Sequence, residues 1–89
     1  MTQAKVSLEE VQDLAQRFID VANGLKDQGR SLDAINGALM LASGIYATYS
    51  AAGNDGFLKP QGVDKVVEVY RRNLAALQNI KKANTAGSS

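Results

Sequence analysis

The side chains that most often do chemistry are scarce in this chain of 89 residues, which has no cysteine and no histidine. Without thiolate or imidazole there is no disulfide, no ordinary zinc site and no side chain that titrates unperturbed near neutral pH. Catalysis would then fall to carboxylates, which must be paired in a pocket that raises the pKa of one of them. Asp20 and Glu68 are the acids to consider, and both fall on polar helix faces. No catalytic residue is assigned and no enzyme is expected. Asn54-Asp55-Gly56 offers too few oxygen ligands, at the wrong spacing, for a calcium loop. No glycine-rich loop joins a strand to a helix, so a phosphate cradle is not expected. The sequence therefore calls for neither metal nor cofactor.

Two further chemistries are worth weighing. Residues 59–89 carry six basic and two acidic side chains, a local charge of +4, whereas residues 1–33 carry four basic and six acidic ones, a charge of −2. A weak anion or nucleic-acid site would need Lys65, Arg71, Arg72, Lys81 and Lys82 to converge. At helical spacing they spread round the third helix, which reads as a solvated face. Tyr46, Tyr49, Phe57 and Tyr70 could line a pocket or stack on bases. On an apolar seam they read instead as core residues whose hydroxyls reach the surface.

The elements that would position these groups are three helices, at about 8–27, 32–52 and 63–82. Ser7 and Glu10 form a capping-box pair at the first start, with Val6 placed to staple onto Val11. Leu8, Val11, Leu14, Ala15, Phe18, Val21, Ala22 and Leu25 recur with a period near 3.6, and Gly29 supplies a left-handed stop. Ser31 caps the second helix. That helix carries two apolar seams: Leu32, Ile35, Leu39, Ala42, Tyr46 and Tyr49, then Ala34, Ala38, Leu41, Ile45 and Ala52. Gly53 to Gly56 reads as a turn, after which Phe57 and Leu58 are expected to tuck onto the core. Pro60 lies at the first position of the third helix or just outside it. Val63, Val66, Val67, Tyr70, Leu74 and Leu77 face inward, Val69, Ala76 and Ile80 widen that stripe, and Lys81 and Lys82 suit the negative end of the dipole.

The fold expected is an all-α three-helix bundle: a flexible N-terminus at 1–6, one helical domain at 7–82 and a disordered tail at 83–89. The stretch from Ala34 to Asn54 has no charge and about the twenty residues that cross a bilayer. It contains Asn36, Ser43, Thr48 and Ser50, and no lysine–arginine asymmetry flanks it, so a buried helix is expected and a membrane-associated helix 34–53 is the minor reading. With no signal-like segment at residues 1–6, a cytoplasmic protein is expected.

Several strings resemble a known family. Phe18-Ile19-Asp20-Val21-Ala22-Asn23 is similar to the FIxxAN start of a small bacterial helical domain family of unknown function. The run from Ala38 to Ala47 resembles its small-residue-rich second helix, and Tyr70-Arg71-Arg72-Asn73-Leu74 its last helix. The resemblance implies a short helical bacterial protein and supplies no activity.

The expectation is therefore a protein–protein interaction or self-associating module without catalysis. Gly37, Leu41, Gly44, Ile45, Val69 and Ile80 are the candidate interface, because they exceed what one seam per helix can cover. Gly37 and Gly44 fit a close helix crossing, either between two protomers or inside one chain. A homodimer is the expected partner, an unidentified protein the next; nucleic acid and membrane are not expected.

Overall fold

A computed structural model of the chain describes residues 6–87. Among them are three helices and no strand: α1, Leu8–Asp27; α2, Leu32–Ala52; α3, Pro60–Gly87. The fold is all-α, consistent with the three-helix class read from the sequence. The chain divides into two compact units, Met1–Ser43 and Gly44–Ser89, with the division falling inside α2.

In the first unit the helix ends form as their sequence signals direct. The Ser7 hydroxyl accepts the Glu10 amide at 3.0 Å, and the Ser7 carbonyl accepts from Val11 at 3.1 Å. The other end of α1 is a Schellman closure: Arg30 N–H donates to the Leu25 carbonyl at 3.1 Å and Gly29 N–H to that of Lys26 at 2.9 Å. Gly29 takes φ +91°, which a side chain would resist. Ser31 then caps α2 by accepting the Ala34 amide at 3.1 Å. Loss of either hydroxyl, in Ser7→Ala or Ser31→Ala, is expected to cost about 1 kcal/mol in chemical unfolding. An unchanged denaturation midpoint would show that the caps contribute nothing.

In the second unit Gly53 ends α2 with φ +76°, its amide donating to the Tyr49 carbonyl at 2.9 Å. Gly56 lies so close to α2 that a Cβ built on it would collide with the Ala52 carbonyl oxygen. Here the smallness of glycine, not its φ freedom, is what the turn requires. Leu58 is half-buried and lies against Gly62, whose Cβ position is 3.3 Å from Leu58 Cδ2. Phe57 does not join it on the core and is 78% exposed, contrary to the sequence expectation.

The third helix is longer than its apolar period indicates. It begins at Pro60, whose missing N–H is no loss at the first position, and the Lys59 carbonyl accepts the first amide, that of Val63, at 3.0 Å. It continues to Gly87 through most of the stretch expected to be a disordered tail. No proline or glycine interrupts residues 83–86, and the Thr85 hydroxyl donates back to the Lys81 carbonyl at 2.9 Å. Lys81 and Lys82 therefore sit before the last turn, which holds no basic residue, and lose the dipole role assigned to them. Residues 1–5 and 88–89, which hold most of the expected flexible N-terminus and the end of that tail, lie outside the described residues.

The larger departure is in burial. Among the described residues Ile35 alone is buried, at 9% exposure, while Ala22, Leu25, Ala52, Leu58 and Val66 are half-buried. Leu32, Tyr46 and Tyr49 of the seam expected to face inward are exposed, as are Phe18 on α1 and Tyr70 on α3. The apolar period of α2 is present, and most of its large side chains are exposed.

Candidate functional site

Four of the six candidate interface residues lie on α2. Gly37 and Leu41 belong to the first unit, and Gly44 and Ile45 to the second. Val69 and Ile80 lie on α3, in the second unit. All four large side chains are open to solvent: Leu41 67%, Ile45 61%, Val69 54% and Ile80 57%. Leu41 and Ile45 are one turn apart and so share a side of α2. A Cβ placed on Gly37 or Gly44 would meet nothing within 4 Å.

Two polar side chains along this helix are engaged within it. Thr48 donates its hydroxyl to the Gly44 carbonyl at 2.8 Å, so covering it with apolar atoms would strand no donor. Asn36 Nδ2 approaches Met40 Sδ at 3.9 Å on the narrow polar strip that the two seams leave to water, formed by Asp33, Asn36, Met40, Ser43, Ala47 and Ser50. Asp33, in the first turn, is the sole charged residue of α2.

At its other end α2 carries a hollow lined by Tyr46 and Tyr49, two of the four aromatic residues weighed as pocket-lining, without Phe57 or Tyr70. Ile45, Tyr46, Tyr49, Gly53 and Asn54 line an open hollow of about 450 Å³. The two tyrosine rings meet edge to face, with centroids 5.7 Å apart and an interplanar angle of 60°, a favourable quadrupole arrangement. Tyr46 is 70% and Tyr49 48% exposed, which corrects their assignment as core residues. The available signal was proximity: two tyrosines one turn apart, followed within eight residues by a glycine-framed turn and Phe57.

The rival sites do not assemble. Asp20 is exposed and accepts from Gln16 Nε2 at 2.9 Å. Glu68 is half-exposed and pairs with two arginines, Arg72 Nε at 3.3 Å and Arg71 Nε at 3.8 Å. Neither carboxylate lines the hollow. The same pairs compensate Arg71 and Arg72 locally. At about 100° per residue, Lys65, Arg71, Arg72, Lys81 and Lys82 spread over roughly 200° of the circumference of α3. Among the described residues no three acidic side chains gather as a metal site would need, and no helix is long and apolar enough to cross a membrane. The spanning reading of helix 34–53 is thereby overturned, and the polar Asn36, Ser43, Thr48 and Ser50 within it are the reason.

No family model, curated protein or solved structure matches the chain.

Proposed function

We propose that this protein is a non-catalytic helical module that acts by self-association, with the open side of α2 as its contact surface. The observation that carries this reading is the exposure of Leu41 and Ile45 on a helix whose sole charge lies at its start. Fully burying a leucine or isoleucine stabilises by roughly 1.5–3 kcal/mol. Covering these two on both members of a twofold pair, scaled by their exposed fractions, gives about 4–8 kcal/mol. Association costs an estimated 4–15 kcal/mol in lost freedom, so those four side chains do not suffice. A stable dimer must cover neighbouring apolar groups as well, reaching about 1,200 Å² or more in total. Val69 and Ile80 on α3 are exposed groups of the right chemistry.

A bacterial, cytoplasmic setting is part of the same proposal; the likeness of Phe18–Asn23 and Ala38–Ala47 to the bacterial helical family supports the first half of it. Light scattering behind size exclusion tests the association directly. The expected result is a mass near twice that of the chain, persisting through about a hundredfold dilution. A monomer at the highest concentration reached would remove the self-association reading and turn the search to a different protein as partner.

A further inference from the structure

The hollow at the end of α2 and the exposed ring that follows it are complementary features within one compact unit. The hollow is lined by Ile45, Tyr46, Tyr49, Gly53 and Asn54: an aliphatic side chain, two aromatic faces and a glycine backbone, with one amide side chain among them. The hollow is shallow and open to solvent, so a ring would lie across its two aromatic faces instead of being enclosed. Phe57, at 78%, is the most exposed of the large hydrophobic side chains among the described residues. It is set on a short segment that Gly56 ties close to the Ala52 carbonyl and that Leu58 anchors beside Gly62. A large ring held outward on a tethered turn is what buried interface anchors look like before they are buried.

We propose that Phe57 of one copy seats in the Ile45–Tyr46–Tyr49 hollow of a second copy, and that the second copy returns the same contact. This rests on the self-association reading and specifies its central contact. A twofold pair is self-complementary, so one chain must carry both the knob and the socket, and this chain does.

The surface involved is of the size such a contact needs. Tyr46, Tyr49 and Phe57 from two copies are six rings, each able to bury roughly 150–250 Å². Scaled by their exposed fractions of 70, 48 and 78%, they would remove about 600–1,000 Å² from water. That is half or more of the roughly 1,200 Å² at which specific stable interfaces begin. Ile45 lines the hollow and is also one of the candidate interface residues on α2, so the ring contact and the α2 contact run into one another.

Mixing two variants tests this. Phe57→Ala removes the knob and leaves the socket; Tyr46→Ala damages the socket and leaves the knob. Both positions are exposed, so each variant should keep the helical circular dichroism of the parent. Each alone is expected to dimerise at least about thirtyfold more weakly, because each loses both symmetric contacts. Mixed in equal amounts they should form a heterodimer tighter than either homodimer, since one intact knob then meets one intact socket. Two homodimers as tight as the parent would overturn the seating of Phe57 while leaving association through α2 in place. Weakened homodimers with no gain on mixing would overturn it too, placing the ring against its own chain. A parent that is monomeric throughout would remove this proposal together with the reading it rests on.

Discussion

Leu41→Glu is expected to convert the dimer proposed above to monomer across the accessible concentration range. The glutamate would put a carboxylate where an apolar surface has to form, and burying a charge without a partner costs several kcal/mol. In a twofold assembly the cost is incurred on both copies, so a loss of more than a hundredfold in association is expected. Ile45→Glu, one turn further along the same side, should act alike. Because both side chains are already exposed, neither change should disturb the isolated helices. Ser43→Glu is the control, since it adds the same charge on the polar strip and should leave the dimer intact. Sedimentation equilibrium reads all three, and a Leu41→Glu protein as dimeric as the parent would take α2 out of the contact.

The second large effect is expected at the α2–α3 turn. Gly56→Ala would place its methyl against the Ala52 carbonyl oxygen, with the Ala52 Cβ at 2.7 Å and the carbonyl carbon at 2.8 Å. These are backbone and near-backbone atoms that no rotamer change can clear, so the turn itself must shift. Overpacking of this kind costs about 1–3 kcal/mol or more, and for a domain of this size each kcal/mol lowers Tm by roughly 4–8 °C. The turn also carries Gly53 and Asn54 into the hollow, so the damage should extend to association. Gly24→Ala is the useful contrast: its new methyl meets nothing within 4 Å, and α1 should gain about 0.5–1 kcal/mol. Both melts belong at one protein concentration, because a dimer's Tm depends on it. Equal Tm values for Gly56→Ala and the parent would show that the turn yields without cost.

The helix limits that were legible in the sequence are those written in local chemistry. Ser7 and Ser31 at the starts, and Gly29 and Gly53 at the stops, act within four residues of themselves, so no distant contact is needed to interpret them. The extension of α3 was missed because its last stretch has no apolar period, and helix can persist there on propensity with help from the Thr85–Lys81 bond. Burial was misjudged for a different reason. A stripe such as Val11, Leu14 and Phe18 declares that one face seeks cover, but periodicity carries no information about which molecule provides it. Leu41 and Ile45 were legible as surplus apolar groups because α2 has two seams and few polar positions. The hollow was legible only in its two tyrosines, weighed as pocket-lining; the part of Gly53 and Asn54 was not, because it arises from the turn of the backbone.

The near absence of charge on α2 also fixes how a contact made through it would respond to its surroundings. Asp33 is its one ionised side chain, so added salt has almost nothing to screen there. The driving force is the release of water from apolar surface, which is largely entropic near 25 °C and carries a large negative heat-capacity change. Such a contact loosens on cooling and tightens on moderate warming, which makes temperature rather than ionic strength the variable that sets how much of the protein is assembled.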